Sequence, residues 1–406
     1  MLYSIVTQLE LVMRKSLLHV NILTVLGLSL ACSTVYAFEL GIGVHPAEFS
    51  APTENYVNLA KQYGFNSFRT DFSWNSTEKE KGIYSIQGPL EKSNELLQII
   101  SKDKSTTALL VLDYGNELYT PSGYPYSQDQ INAFANYANW VSHHYRDKVR
   151  YYEIWNEWLQ GTGVKKNSIP PEDPLVYTAL ARESYKRIKQ NDPNAIVMVG
   201  SINPTIPKYM TWLDGLIDNG ILDYSDAISV HAYSTRISTP GTKPPERGIE
   251  EIEKVEKLIV SKTGKPKDIY ISENGYPTMY NVKDLSQDGV AQNIIKFTML
   301  ARSKPYIKGL WWYDLIDDGS NKDEPENNYG FFSTTNTPKK SAVSVKELAR
   351  VVKDDSYRFT ESESSKGIIT ISIVSPTNKQ TQISWRKYHP INVNEFNDFL
   401  TSLSSM

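Results

Sequence analysis

Short runs of apolar, β-branched and aromatic residues recur along the chain, and they alternate with longer stretches whose apolar positions follow a helical period. Eight of the short runs predict buried strands, at 40–44, 67–72, 107–112, 150–155, 196–200, 227–231, 268–272 and 308–313. Successive runs begin 27 to 46 residues apart, which leaves room in each interval for a crossover helix and two loops. The pattern therefore predicts strands and helices in alternation.

The stretches between these runs predict helices. Apolar residues recur about every 3.6 positions in 128–145 and in 175–188. The stretch 248–260 is amphipathic and rich in Glu and Lys, which indicates a helix with one solvated face. Glycines that suit helix ends stand at Gly64, Gly220 and Gly264.

The predicted fold is α/β, a (β/α)8 TIM barrel spanning residues 38–350, and a doubly wound open sheet is the competing arrangement. The count of eight strands favours the barrel. The loops are also asymmetric, because helix-to-strand connections such as 191–194 are short, whereas strand-to-helix connections such as 316–338 are long. Long loops on one rim are where a barrel carries its site, so we expect functional residues at the C-terminal strand ends.

The chain after Val351 does not continue this pattern. Short runs at 357–360, 367–374 and 380–385 predict antiparallel strands. We therefore expect a small β-rich C-terminal appendage over residues 351–406, with frayed residues at its end, 401–406.

Residues 1–37 have the pattern of a secretory signal peptide. Arg14 and Lys15 precede an apolar run, and positions 35–37 place small residues where a cleavage site requires them. An uncleaved signal, or lipid attachment at Cys32, would instead tether the protein to a membrane, although the apolar run is short for a span. We expect an exported bacterial protein, periplasmic or secreted.

Composition narrows the possible classes of function. Hydrophobic residues make up 40% and charged residues 22% of the chain, as in soluble globular proteins. A net charge of -3 and a pI near 6.1 argue against a basic nucleic-acid binder, so we expect no nucleic-acid partner. Aromatic residues reach 11%, and their rings suit both a core and a surface that stacks on flat apolar faces. We expect a monomer.

Two glutamates follow two of the predicted strands. Glu157 comes just after 150–155 and Glu273 just after 268–272, the fourth and seventh strands by count. In a barrel, both would lie on the rim that carries the site. Carboxyl groups about 5–5.5 Å apart support retaining glycoside hydrolysis, and a separation of about 6.5–9.5 Å supports inversion. A single glutamate in such a position equally well caps a loop, but two of them, each beside an Asn, favour catalysis.

The motifs around these glutamates resemble those of clan A glycoside hydrolases, in which Asn-Glu closes strand four and Glu closes strand seven. The chain has YEIWNEW at 152–158 and YISENGY at 270–276. Three further segments support the resemblance, FRTDFSW at 68–74, HAYS at 231–234 and LWWYDL at 310–315. Within the clan, the chain most resembles family 39 and the endoglycosidases of bacterial exopolysaccharide systems, over about residues 38–350.

The resemblance implies a retaining double displacement. Glu157 would be the acid/base and Glu273 the nucleophile. Asn156 would bind the 2-hydroxyl of the sugar, and Arg69 would hold Glu273 ionised. The plainer alternative for Arg69 is an ion pair with a structural carboxylate.

The same resemblance, or a position just past a strand, marks further candidates. His231 and Tyr233 would donate to Glu273 or to the substrate, although His231 is equally compatible with a hydrogen-bonded core histidine. Trp312 would face into the barrel beneath the sugar ring, and Trp311 would face the helices. The candidate stacking aromatics are Trp74, Tyr114 and Trp158, and the candidate hydroxyl-binding residues are Asp113, Asn116 and His45.

Other chemistries lack their motifs. The sequence contains no dinucleotide fingerprint, Walker motif, GxSxG elbow or zinc-ligand spacing, so we expect neither a cofactor nor a metal. The expected partner is a polysaccharide or oligosaccharide substrate. A retaining β-glycosidase acting on an exported glycan is the first hypothesis, and the alternatives are an exo-acting, β-xylosidase-like enzyme and a non-catalytic glycan-binding barrel.

Overall fold

The computed structural model describes residues 37–234 and 244–406. Ala37–Met406 form one compact unit. The predicted signal peptide, with Cys32, lies outside the described residues except for Ala37. None of the described helices combines the length and the apolar character needed to cross a bilayer.

Eight parallel strands close into a barrel, which confirms the predicted fold. In chain order they are β1 (Glu39–Gly43), β2 (Ser67–Ser73), β3 (Thr107–Asp113), β4 (Tyr151–Ile154), β5 (Ile196–Ile202), β6 (Ala227–His231), β7 (Asp268–Asn274) and β8 (Ile307–Trp312). The first strand pairs with the second and with the last, so that Gly41 lies beside both Ser67 and Trp311. The closed sheet therefore has no free edge.

One long helix follows each strand within the described residues. These helices are α1 (Thr53–Gln62), α2 (Pro89–Ile100), α3 (Gln128–His144), α4 (Pro174–Asn191), α5 (Pro207–Asp218), α6 (Pro245–Thr263), α7 (Gln287–Ser303) and α8 (Lys340–Lys353). The first turn of α3 is fixed by a capping box between Ser127 and Gln130. Gly264 ends α6 with a φ of 72°, which glycine adopts without a Cβ clash.

The interior of the barrel holds a small apolar cluster that includes Tyr151, Tyr270 and Trp311. The rings of Tyr151 and Trp311 lie 5.3 Å apart. Since β4 and β8 are not neighbours in the sheet, this contact must cross the inside of the barrel. Trp311 therefore faces inward.

The prediction that Trp312 faces inward is wrong. Successive side chains of a strand point to opposite faces, and Trp311 already occupies the inner one. The ring of Trp312 packs 5.5 Å from Phe297 of α7, so it belongs to the layer between the barrel and the helices. It cannot serve as a floor beneath a sugar ring in the mouth of the barrel.

The chain after α8 forms the expected β-rich appendage. Three antiparallel strands, β9 (Arg358–Glu363), β10 (Ile368–Val374) and β11 (Gln380–Arg386), lie in the order of the sequence. A further long helix, α9 (Val393–Leu403), follows them. The prediction of frayed residues from 401 onward is wrong for Leu403, which is fully buried and whose carbonyl accepts a hydrogen bond from Arg350 at 2.9 Å.

The appendage packs against a buried ion pair of the barrel. Lys296 of α7 lies 2.7 Å from Glu246 at the start of α6, and both side chains are almost fully buried. Trp385 of β11 donates its indole N–H to the same Glu246 oxygen at 2.5 Å, and its ring lies 5.2 Å from the Lys296 ammonium. The appendage thus packs where two barrel helices meet.

Candidate active site

The two candidate glutamates come together at the C-terminal ends of the strands. A carboxylate oxygen of Glu157, a ring nitrogen of His231 and a carboxylate oxygen of Glu273 lie within 4.8 Å of one another. His231 and Glu273 are neighbours across the β6–β7 pair, whereas Glu157 follows β4. The barrel therefore brings Glu157 and Glu273 together, although more than a hundred positions separate them in the sequence.

Two donors hold the carboxylate of Glu273. Arg69 of β2 donates from Nη1 to Oε2 at 2.7 Å, and the Tyr233 hydroxyl donates to Oε1 at 2.6 Å. Both partners are nearly buried, with exposed fractions of 6% and 2%. Each oxygen thus accepts a hydrogen bond, and the carboxylate plane is fixed.

Glu157 has a different set of partners. The Thr162 hydroxyl donates to Oε2, and His231 Nδ1 lies 3.1 Å from Oε1. The main-chain N–H of Glu157 donates to the Ser201 hydroxyl at 2.6 Å. The residue has a φ of 47°, a region that non-glycine residues seldom adopt and that often marks functional positions.

A third glutamate, which the sequence analysis did not single out, lies beneath this pair. Glu153 of β4 is fully buried, and it accepts hydrogen bonds from Arg69 Nη2 at 3.1 Å and from the Ser272 hydroxyl at 2.6 Å. Burial alone would raise its pKa, but the Arg69 charge and its other polar contacts lower the pKa to about 2. The sequence did contain an indication of this residue, because a glutamate in the middle of a predicted buried strand requires a partner.

One arginine and one histidine supply the positive charge of the site. Burial disfavours the charged form of Arg69, yet the charges of Glu273 and Glu153 raise its pKa above the usual value. Burial likewise opposes the charging of His231, but the charge of Glu273 and contacts with Glu153 and Glu157 raise its pKa to about 9. His231 is therefore an imidazolium near neutral pH, in contact with carboxylates on both sides.

Asn156 and Tyr114 also belong to this group. The side-chain oxygen of Asn156 accepts from Arg69 Nη2 at 2.9 Å, and its amide donates to the Tyr114 hydroxyl at 3.0 Å. Asn156 is thus oriented by Arg69, the residue that also holds Glu273.

Two predicted stacking aromatics do not face the mouth of the barrel. Trp74 is fully buried, lies against Tyr119 at 5.2 Å and donates its indole N–H to Glu78. Trp158 is 1% exposed, and its indole N–H is bonded to the Pro171 carbonyl. The prediction that these rings stack on a sugar is therefore wrong in this structure, because both rings are buried in the main hydrophobic core.

The predicted hydroxyl-binding residues have separate surroundings. Asn116 is buried and donates to the Glu78 carbonyl at 2.8 Å, so it supports the rim loop. Asp113 is fully buried, and burial together with the charge of Asp71 raises its pKa well above the usual value. His45 is partly exposed, and its ring lies 5.7 Å from that of Tyr313. Among these three, His45 alone has substantial solvent access.

Tyr313, which the sequence analysis did not single out, follows Trp312 at the C-terminal end of β8. It follows β8 on the same face as Trp311, and its main-chain N–H donates to the Asn274 carbonyl at 2.7 Å. Its ring contacts Tyr329 at 5.5 Å, and burial with the charges of Asp314, Asp318 and Glu273 raises its pKa. Side chains of a strand alternate between its two faces, so the sequence shows that Trp311 and Tyr313 share one face. It does not show whether that face is the inner one, because Trp312 is equally apolar.

The sequence profile of the family described as cellulase (glycosyl hydrolase family 5) matches residues 35–312. No curated protein sequence matches the chain.

Solved structures share the fold. A family 39 glycoside hydrolase from Bacteroides cellulosilyticus WH2 is similar with a TM-score of 0.69 and 20% identity, over 88% of this chain and 74% of that one. A monomeric beta-xylosidase from Caulobacter crescentus CB15 is similar with a TM-score of 0.60 and 15% identity, over 83% and 73%. Xylanase 10B from Thermotoga maritima is similar with a TM-score of 0.57 and 15% identity, over 77% of this chain and 95% of that one. The expected resemblance to clan A, with family 39 among the similar folds, is confirmed.

The matched profile spans most of the barrel and both glutamates, and the fold is the one that clan A enzymes share. The chain belongs to the cellulase family, glycosyl hydrolase family 5, and is a glycoside hydrolase of clan A.

Proposed function

We propose that the protein is a retaining β-glycoside hydrolase that cleaves O-glycosidic bonds of an exported polysaccharide or oligosaccharide. The observation that carries this proposal is the approach of a Glu157 oxygen to within 4.8 Å of a Glu273 oxygen. In retaining enzymes the two carboxyl groups lie about 5–5.5 Å apart, and an approach this close is compatible with that spacing.

The partners of each glutamate suit different roles. Glu273, which accepts bonds from Arg69 and Tyr233, would attack the anomeric carbon and form a glycosyl ester. Glu157 would give its proton to the departing oxygen and then take a proton from the attacking water. His231, in contact with Glu157 Oε1, supports the negative charge that Glu157 carries between the two steps.

Asn156 would bind the 2-hydroxyl of the sugar beside the nucleophile. Since its oxygen is held by Arg69 and its amide by Tyr114, its position is set before the substrate arrives. A contact of this kind strengthens as positive charge develops in the transition state.

Two alternatives to this proposal are an exo-acting enzyme and a non-catalytic glycan-binding barrel. An exo-acting enzyme has the support of the similar fold described as a beta-xylosidase, whereas the similar xylanase suggests action on a polymer. A non-catalytic barrel is disfavoured, since both carboxylates are present with separate hydrogen-bond partners. Export, with Phe38 as the first residue after cleavage, is proposed from the signal-like N-terminus.

The test compares the wild type with Glu273→Gln and Glu157→Gln on aryl glycosides and bacterial polysaccharides. We expect turnover to fall roughly 10²–10⁴-fold or more in each variant. The loss in Glu157→Gln should shrink for aryl leaving groups that need no proton. The control is Glu172→Gln, which removes an exposed carboxylate paired with Lys208.

Two further measurements test the stereochemistry of the reaction and the mode of action on a polymer. Early NMR spectra of the product should show the anomer of the substrate, and an inverted anomer would contradict the double displacement. Product lengths on a polymer separate endo from exo action. Glycan binding without turnover by the wild type would favour the non-catalytic barrel.

A further inference from the structure

The two carboxylate oxygens of Glu157 have different neighbours. His231 Nδ1 lies 3.1 Å from Oε1, and the hydroxyl of Thr162 donates to Oε2. His231 belongs to a barrel strand and is fully buried, whereas Thr162 is exposed on the loop that follows Glu157. One oxygen is therefore held from within the barrel and the other from the rim.

The contact with His231 determines which oxygen of Glu157 carries a proton. Burial opposes the charged form of this imidazole, but the charge of Glu273 and contacts with Glu153 and Glu157 raise its pKa to about 9. An imidazolium has an N–H on each ring nitrogen, so Nδ1 donates and Oε1 accepts. The proton that Glu157 would give to a leaving group is then on Oε2, the oxygen that contacts Thr162.

The loop around Thr162 is shaped so that the hydroxyl reaches this oxygen. The main-chain N–H of Gly161 donates to the Glu157 carbonyl at 3.1 Å, which closes a turn between the two residues. Gly161 and Gly163 flank Thr162 with φ values of 74° and 73°, a region that glycine adopts without a Cβ clash. The turn thus brings Thr162 back to the carboxylate that it follows in the chain.

A second contact fixes this loop against the site. A Cβ added at Gly163 would lie 2.2 Å from the ring of Tyr114, so the main chain of Gly163 packs directly on that ring. The Tyr114 hydroxyl in turn accepts from Asn156, which is proposed to bind the sugar 2-hydroxyl. The position of Thr162 is therefore tied to the side chains that would hold the substrate.

The exposure of Thr162 separates it from residues that serve the core. Glu157 is only 6% exposed, whereas Thr162 is accessible to solvent. Exposed hydroxyls of loops commonly bond their own main chain, but this one bonds a carboxylate, which gives a stronger hydrogen bond. A substitution at Thr162 should therefore alter the surroundings of Glu157 and leave the core intact.

We propose that Thr162 is a positioning residue for the acid/base. Its hydroxyl holds Glu157 Oε2, the oxygen that carries the proton, and stabilises the negative charge left there when the proton departs. The inference rests on the proposed function for the direction of proton transfer, but the contact itself can be tested without a substrate.

The hydroxyl stays in place through both steps of the reaction. A protonated Oε2 still accepts a hydrogen bond from Thr162, so its own proton is free to point at the glycosidic oxygen. In the first step this proton moves to that oxygen, which leaves with the electron pair of its bond to the anomeric carbon while Glu273 bonds the carbon. In the second step Oε2 takes a proton from the attacking water, whose oxygen displaces Glu273.

The first measurement is the titration of Glu157 in the free protein. Titratable groups on three other elements face it, namely His231 of β6, Glu273 of β7 and Tyr209 of α5. Thr162→Val removes a hydroxyl and leaves these groups unchanged. Because a hydrogen bond donated to a carboxylate favours its ionised form, we expect the titration midpoint of Glu157 to rise by about one pH unit in this variant.

The midpoint is followed by NMR of protein labelled with ¹³C at the glutamate carboxyl carbons, and the Glu157 signal is the one missing from Glu157→Gln. Thr162→Ser keeps the hydroxyl and should titrate as the wild type does. Ser168→Ala is the matched control, because it removes a hydroxyl of the same loop that lies against Gly123. Thermal unfolding checks each fold, and Thr162→Ala replaces Thr162→Val if the latter disturbs the loop.

The second measurement is turnover of phenyl and dinitrophenyl glycosides of the same sugar, since only the phenyl leaving group needs a proton. We expect kcat/KM of Thr162→Val to fall about tenfold on the phenyl glycoside and less than about twofold on the dinitrophenyl glycoside. The alkaline limb of its pH profile should move upward with the NMR midpoint. A merely structural role would lower kcat/KM equally for both substrates.

Equal titration midpoints in the wild type and Thr162→Val would overturn the proposal, and so would equal losses on the two glycosides. If the wild type turns over neither glycoside nor any polysaccharide, the proposed function fails. The NMR midpoint then still decides whether Thr162 holds Glu157, so the two failures are distinguished.

Discussion

Arg69 and His231 are each shared among several carboxylates. Arg69 bonds Glu153 and Glu273, and His231 lies between Glu153 and Glu157. Two buried cations therefore balance three glutamates, two of them buried, and removing either cation leaves uncompensated charge in a region with little water. The residues that orient the proposed catalytic pair are thus also essential to the packing beneath it.

The raised pKa of His231 predicts a specific dependence of stability on pH. Its value of about 9 in the folded protein lies above the ordinary 6.5, so its charged form stabilises the fold below pH 6.5. This contribution is lost as the pH rises through 9. We expect His231→Gln to lack this loss, and the difference in unfolding free energy between wild type and variant to shrink by on the order of 2–3 kcal/mol between pH 6.5 and 9.

Urea unfolding at a series of pH values measures this difference. The control is His143→Gln, an exposed histidine on α3. A difference between wild type and His231→Gln that is constant over this range would show that His231 does not bind its extra proton in the folded state.

At the scale of elements, the hydrophobic pattern located all eight strands to within two residues at each end. This worked because each buried strand is a continuous apolar run bounded by turn residues. The pattern could not tell which tryptophan of β8 faces inward, since Trp311 and Trp312 are equally apolar. That choice depends on Gly41 of the neighbouring strand, which leaves space for the Trp311 ring.

The hydrophobic pattern also could not predict how the rim loops pack. Trp74 and Trp158 stand just past strand ends, as sugar-stacking residues would, but both rings are buried in the main hydrophobic core. Glu153 was missed because a buried polar residue in a strand becomes interpretable only when its partners, Arg69 and Ser272, are known. The burial of these tryptophans and the pairing of Glu153 both depend on contacts between segments that are distant in the sequence.

The close approach of Gly41 to Trp311 gives a prediction for β1. A Cβ added at Gly41 would lie 2.1 Å from the Trp311 ring, whereas one added at Gly43 meets its nearest atom at 3.5 Å. We expect Gly41→Ala to lower the unfolding free energy by at least about 1–3 kcal/mol through overpacking. Gly43→Ala, in the same strand, should change it by less than about 1 kcal/mol.

Chemical denaturation of the two variants makes the comparison. If Gly41→Ala is as stable as Gly43→Ala, then Trp311 does not fill the barrel interior beside β1.

At the scale of the whole molecule, the appendage packs on the buried Glu246–Lys296 pair through Trp385. We expect Lys296→Met to lower the unfolding free energy by about 3–5 kcal/mol, because it leaves Glu246 buried without its counter-ion. The double change Glu246→Leu with Lys296→Met should recover much of this loss, since apolar replacements of a buried pair are often neutral.

The control is Lys340→Met, which breaks an exposed pair with Asp288 and should cost no more than about 1 kcal/mol. Unfolding is followed by the fluorescence of the tryptophans, one of which, Trp385, lies at the junction itself. A single Lys296→Met change as mild as the control would mean that the appendage does not rely on this pair.

The bond between Arg69 and Glu273 joins residues 204 positions apart, and the barrel closes only when β1 meets β8. During translation, Arg69 and Glu153 are synthesised long before Glu273 and Trp312. Contacts between such distant segments form slowly, and until β8 is available the sheet keeps an open edge. Catalytic competence therefore requires β8, which is synthesised after both glutamates. A product that stops before β8 would contain both glutamates and still lack a site, so activity reports on completed synthesis and folding together.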